Sequence, residues 1–320
     1  MFLGKNKLRL LLHKVLESDP IQSNPPVLLD LGASGEIFPA WQVLAPYSVC
    51  LALDADSRDF PRSEERKTKF RKLHLIQSLV AAETKKDMPF YHTRSPHCSS
   101  SLVPDPRGLA SWEFLAEFEV KQTVFLPTRS LRDILEACQI DSVDWYKSDT
   151  QGTDLRIFTS LPDPLANRIL AADFEPGIID AYCGEDKLHD LMRHMEKRPF
   201  WISDMLVKGS RRICQGDLGA MNNRQKKNFR HALRTSPGWC EISYLNTMED
   251  KGFTQRDFLL GWVFATLKDQ HGFALALARV GEEKFGGPLF ESMRSHSWST
   301  LVSAGRKFST LLQPFGIHWP

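Results

Sequence analysis

Up to about residue 207, short apolar runs alternate with stretches of helical length. Val27–Leu31, Ser48–Leu53 and Leu73–Ile76 are nearly continuous apolar runs, followed by Gly32-Ala33-Ser34-Gly35, Asp54-Ala55-Asp56 and Ser78 to Ala82. Runs apolar on both faces and spaced this way predict parallel strands covered on both sides. The first reads as strand, tight turn, helix. Residues 89–101 are rich in turn formers and 117–126 alternate with a period near two, which predicts an insertion beside the sheet with an added strand. Ser130 with Asp133 three places on resembles a capping box, and Leu131, Ile134, Leu135 and Cys138 recur at helical spacing. Strands are expected at 143–149, 168–174 and 200–207, and helices at 153–161 and 185–197. Past Thr254 the pattern becomes wholly helical, with stretches expected at 255–281 and 288–312.

This order predicts an α/β protein built on a Rossmann-like, doubly wound, mostly parallel sheet. The expected organisation is an N-terminal amphipathic helix in 1–26, a sheet domain in 27–207, a basic linker in 208–253 and a C-terminal helical extension in 254–320. The length of 320 residues, 42% hydrophobic and 25% charged, suits an enzyme with one subdomain and excludes a disordered or low-complexity chain. Lys plus Arg exceeds Asp plus Glu by 41 to 39, so net charge gives no reason to expect a nucleic-acid partner. Between 211 and 234, however, seven Lys and Arg face the single acid Asp217, a local +6. That segment is either a solvated face or a docking surface for an acidic partner. The six cysteines include no C-x-x-C pair, so a metal–thiolate site is not expected. The run Phe258–Leu267 is ten residues long against the roughly 20 a membrane crossing needs, and the first 20 residues are too charged for a signal peptide. A cytoplasmic protein without a membrane span is expected, with self-association possible through the C-terminal helices.

A strand followed by Asp-x-Gly suits a ligand that approaches the backbone, and Asp54, 24 positions after Asp30 at the next strand end, is placed to accept both ribose hydroxyls of a nucleoside cofactor. The alternative is that Gly32 and Gly35 only make a turn and Asp54 only caps a helix. The turn lacks the G-x-G-x-x-G spacing that seats a pyrophosphate, which favours a cofactor without phosphates. S-adenosyl-L-methionine fits: its cationic end suits Asp30, its ribose Asp54, and its adenine an apolar slot near Ser78 to Ala82.

Leu29-Asp30-Leu31-Gly32-Ala33-Ser34, Ala52-Leu53-Asp54-Ala55-Asp56 and Ser130-Leu131-Arg132-Asp133-Ile134-Leu135, then Val143 to Leu155 (VDWYKSDTQGTDL), resemble the ordered motifs of the FkbM-type methyltransferases. The resemblance continues through Ala172-Asp173-Phe174-Glu175, the Tyr182-Cys183-Gly184 turn and Phe200 to Asp204, covering about 27–207. It implies a class I methyltransferase sheet, S-adenosyl-L-methionine held by Asp30, Gly32, Ala33, Ser34, Gly35, Asp54, Ala55, Ser78, Ser101 and Asp149, and O-methylation of a saccharide or glycan-type acceptor. Two departures stand out: Gly35 falls one place early, leaving Glu36 where the family has glycine, and Gln151 replaces a carboxylate.

Asp149, at the carboxyl end of a central strand, is the first candidate for orienting the acceptor or taking its proton. Lys147 would hold an acidic acceptor or pair with Asp149, and Glu175 would assist from the next strand end. His92 and His97 lie in the insertion near Ser100-Ser101-Leu102, where the family has a related element; His92 is a candidate base by virtue of an ordinary pKa near neutrality. A structural ion pair for Lys147 and packing roles for the histidines are the alternatives. Two rival classes remain: a catalytically silent binding or assembly protein on the same fold, and a nucleotide-using oxidoreductase or sugar-modifying enzyme.

Overall fold

The short apolar runs become the parallel strands of one sheet. A computed structural model describes residues 2–34, 38–58 and 69–312 and divides the chain into two units, Val27–Thr247 and Met1–Pro26 with Met248–Pro320. In the first unit the strands are β1 (Val27–Leu31), β2 (Val49–Asp54), β3 (Lys72–Gln77), β4 (Leu79–Ala81), β5 (Met88–Thr93), β6 (Val120–Leu126), β7 (Thr128–Ser130), β8 (Trp145–Ser148), β9 (Ala171–Phe174), β10 (Phe200–Ser210) and β11 (Ser236–Asn246). Seven form the central sheet in the order β10-β11-β9-β8-β1-β2-β3. The strands β3, β2, β1, β8 and β9 run parallel, and β11 lies antiparallel between β9 and β10. This is the Rossmann order with a reversed strand wedged in before the last one.

Both sheet faces are buried, which is why these strands read as unbroken apolar runs. On one face Leu29, Leu31, Leu51 and Leu53 pack with an aromatic cluster in which Tyr146 and Phe158 lie 5.2 Å apart and Tyr146 and Phe174 5.5 Å. On the other, Leu28 and Cys50 are fully buried and Trp41 meets Trp145 edge-on at 6.0 Å. The Trp145 indole donates to Asp173 at 2.5 Å, so its burial leaves no orphaned N–H.

Several expectations need correction. After β1 the described residues form short 3-10 turns, Pro39–Val43 and Ala45–Tyr47, not an α-helix; Gly35 and Glu36 lie outside the described residues. The turn-rich segment 89–101 contains β5, which pairs with β6 in a two-stranded sheet of its own. The expected linker 208–253 contains β11, an integral strand of the central sheet, so the sheet extends well past residue 207. The basic segment is an excursion between β10 and β11 carrying the helices Gln215–Ala220 and Asn223–Ala232. Two of its cations, Arg211 and Arg230, converge on Glu113.

In the second unit the run around Phe258 forms the helix Gln255–Leu267, started by a capping box between Thr254 and Asp257. It is buried almost all round, because the N-terminal helix Phe2–Leu16 and the helices His271–Phe285 and Pro288–Leu312 share its unit. Residues 1–26 therefore join the C-terminal helices in one unit. The helix expected over 255–281 is two, broken at Lys268–Gln270, where Asp269 takes a left-handed φ of 56°. No described helix is long and apolar enough to cross a membrane.

Candidate functional site

Parallel strands bring their carboxyl ends into one row, and the loops after β1, β2, β3, β8 and β9 carry Gly32, Asp54, Ser78, Asp149 and Glu175 respectively. Two clefts open along this row. The first spans about 590 Å³ with the open solvent at its mouth included, and is lined by Gly32, Ser34, Asp54, Ala55, Ser78, Ser101 and Asp149, among others. Leu79, Val80, Phe90 and Pro96 give it an apolar wall. The second encloses about 1090 Å³ and is lined by Phe114, Phe118, Tyr182 and Trp239 together with Glu117, Asp149, Glu175 and Glu185. Asp149, Gln151 and His97 border both.

The Asp149 carboxylate is set by a relay from the opposite wall. Gln151 has a left-handed φ of 55°, and its amide donates to Asp149 Oδ1 at 2.6 Å. The Tyr182 hydroxyl lies 2.9 Å from both Gln151 Oε1 and the Cys98 carbonyl oxygen, and the Asp149 carboxylate, which when ionised only accepts, turns the amide nitrogen toward itself. An ionised glutamate at 151 would offer Asp149 no donor, whereas the amide does. The Ser100 hydroxyl donates to the Gln151 carbonyl at 2.7 Å and holds the turn from below.

Further along the rim, Asp54 closes β2 and accepts from the Asp56 N–H at 2.7 Å. Burial, with Asp56, Asp149 and Asp30 adding like charge, pushes its carboxyl up to about 7. Asp56 behaves oppositely: burial would raise it, but hydrogen bonds and charge from Arg58 hold it down at about 2. Arg58 also donates to Thr93 O at 2.9 Å and to Ser99 Oγ at 2.7 Å, which ties the β2 loop to the insertion.

Four predicted site residues do other work. Asp30 is fully buried and lines neither cleft; the β1–β8 register sets it beside Lys147, whose Nζ lies 3.0 Å from its Oδ1, and its Oδ2 accepts from the Phe38 N–H at 3.2 Å. Burial raises the Asp30 pKa despite that lysine. Burial alone would lower Lys147, but Asp30 and Asp149 overcome this and hold it above the usual lysine range. Lys147 is thus committed inside the sheet and lines neither cleft. His92 sits 3.3 Å from Asp56 and edge-on to Phe90, also outside both clefts; the insertion histidine that lines them is His97. Ala33 is buried and lines neither cleft.

The glycine turn differs from expectation in a second way. The N–H groups of Gly32 and Ala33 both donate to Leu53 O, at 2.9 and 3.0 Å, so they bind the neighbouring strand and are not free for a ligand. Gly32 is required because its φ is +76° and a Cβ there would lie 1.9 Å from the Asp149 carbonyl oxygen. Its role is to let the β1 and β8 loops pass closely.

Sequence reasoning passed over Tyr182 as a relay member, the Asp56–Arg58 clamp, and the wall formed by Phe114, Phe118 and Trp239. Gln151 signalled its importance only as a departure from a family pattern. Compared with known protein families, curated proteins and solved structures, the chain matches none.

Proposed function

We propose that this protein is an S-adenosyl-L-methionine-dependent O-methyltransferase acting on a saccharide or glycan-type hydroxyl. The observation that carries the reading is the meeting of two clefts at one carboxylate: a smaller cleft that holds Asp54 opposite an apolar wall meets a larger aromatic one at Asp149. The strand order, with its reversed strand before the last, is the arrangement a class I methyltransferase calls for.

The residues present fit the cofactor. Asp54 is placed for the ribose, Leu79, Val80 and Phe90 for the adenine, and Ser34 Oγ is buried at the cleft without a hydrogen-bond partner among the described residues. When bound, S-adenosyl-L-methionine supplies the methyl group and departs as a neutral thioether. Asp149 would orient the acceptor hydroxyl and accept its proton, with Gln151 holding the carboxylate oxygen it does not use. Glu175 is held well above the carboxylate range by burial and by the charges of Asp149 and Glu241, so it keeps its proton near neutrality and serves as a donor to an acceptor oxygen.

Calorimetry with S-adenosylhomocysteine tests the reading. Binding is expected to the native chain and to fall about tenfold or more in Asp54→Ala, the worth of a charge-assisted hydrogen-bond pair. Folded protein that binds none of it sinks the proposal. Tight binding with no methylated product from any extract fraction would instead favour a catalytically silent member of the fold.

A further inference from the structure

Resting on that reading, we infer that the larger cleft takes an acceptor carrying a protonated amine, an amino sugar in preference to a neutral or acidic saccharide. Its charged lining is one-sided: Glu117, Asp149, Glu175 and Glu185 face it, and no lysine or arginine lines it among the described residues. Glu185 is answered by Lys187, and Asp149 by the neutral Gln151 amide. The carboxylates of Glu117 and Glu175 make no hydrogen bond or ion pair among the described residues; Arg94, which feels the Glu117 charge, is paired with Glu119, and Lys147, which feels the Glu175 charge, is paired with Asp30. Burial, and after it the charges of Asp149 and Glu241, raise the Glu175 carboxyl, so it keeps its proton until a cation enters the cleft and pairs with it.

The aromatic wall supplies the second, independent feature. Phe114 and Phe118 lie 5.5 Å apart, Phe118 and Tyr182 5.4 Å, and Phe114 and Trp239 6.1 Å, giving one continuous run of rings around the cavity. Ring faces attract cations and also stack on the C–H faces of neutral sugars, so the rings alone do not choose between them. Carboxylates beside those rings do choose. An ammonium gains from both, an acetamide loses the charge, and a uronate meets like charge in a partly dehydrated site. The wall is also braced: Gln215 donates to the Trp112 and Glu113 carbonyls at 3.2 and 2.8 Å, and Arg211 and Arg230 hold Glu113, next to Phe114. The basic excursion thus spends its pinning contacts behind the ring wall, leaving the cavity itself acidic.

Ligand-observed NMR titration of the full chain with glucosamine, N-acetylglucosamine and glucuronate at neutral pH tests this, with S-adenosylhomocysteine binding measured in the same samples. Glucosamine should bind about tenfold more tightly than N-acetylglucosamine, with glucuronate weakest. Glu117→Gln, a change at an exposed side chain, and Glu175→Gln should each cut that preference severalfold while S-adenosylhomocysteine still binds. Equal or tighter binding of the neutral or acidic sugar, no glucosamine binding, or a preference unmoved in both variants overturns the inference. Loss of S-adenosylhomocysteine binding in the native chain would count against the cofactor reading instead, so the two failures are separable.

Discussion

Replacing Lys147 by methionine removes the cation from a pair that the β1–β8 register buries, and its cost follows from the geometry. At 3.0 Å the attraction to Asp30 is about 5 kcal/mol for an effective permittivity near 20, much of it offset by taking both ions out of water. What a single replacement exposes is the stranded partner, typically about 3–5 kcal/mol. Lys147 keeps 19% side-chain exposure, which admits some water, so about 3 kcal/mol is expected for Lys147→Met. Asp30→Asn leaves the ammonium with Asp149 still nearby and should cost less, about 2 kcal/mol. Denaturant unfolding of both singles and the double should therefore show the double falling short of additivity by about 2 kcal/mol. The pH dependence has a definite sign. Burial already raises Asp30 in the folded state, and loss of Lys147 raises it further, so the folded chain holds this proton more tightly than the unfolded one. Stability from that proton is fully present below the unfolded pKa and is lost as pH rises through the folded one, so the deficit of Lys147→Met should be small near pH 4 and grow toward neutrality. Additive losses below about 1 kcal/mol, or a deficit that ignores pH, would refute the structural role of the pair.

Burial pushes the Asp54 carboxyl up to about 7, and the proposed ribose contact needs it ionised, so affinity for S-adenosylhomocysteine should fall as pH drops through that value. Calorimetry across the range should show Asp54→Asn flattening the profile; an unchanged midpoint in that variant contradicts the assignment. Gly32→Ala combines a left-handed φ of +76° with a Cβ placed 1.9 Å from the Asp149 carbonyl oxygen, and neither backbone can yield cheaply. A loss of about 3 kcal/mol or more is expected, and an unchanged melting temperature would show that the loops do not pass so closely. Gln151→Glu sets a second carboxylate against Asp149 where an amide now donates at 2.6 Å. Like charges at that range repel by about 6 kcal/mol at an effective permittivity of 20, so one keeps its proton near neutrality. Methyl-transfer rates should fall at pH 7 and recover at higher pH; a pH profile like that of the native chain would remove Asp149 from the proton-transfer step.

The sheet was legible because strands buried on both faces must be apolar throughout, and the ends of such strands are where an open α/β sheet presents its ligands. That reasoning placed Asp54, Ser78, Asp149 and Glu175 on one rim. It misjudged Asp30 and Lys147 because both also sit near carboxyl ends, and only the parallel register, Asp30 beside Lys147, reveals that their side chains meet each other inside the sheet. The strand β11 escaped for a local reason: the basic excursion before it dominates the composition, although its alternating burial from Gly238 to Tyr244 carries the period of two. The larger cleft could not be read at all, since its rings come from residues 114–118, 182 and 239 and meet only through tertiary packing. Its position nonetheless follows from the topology. The strand β8 lies between β1, whose neighbour β2 brings Asp54 to the smaller cleft, and β9, whose end brings Glu175 to the larger one. A loop leaving β8 must therefore separate the two, and its residues Asp149 and Gln151 border both.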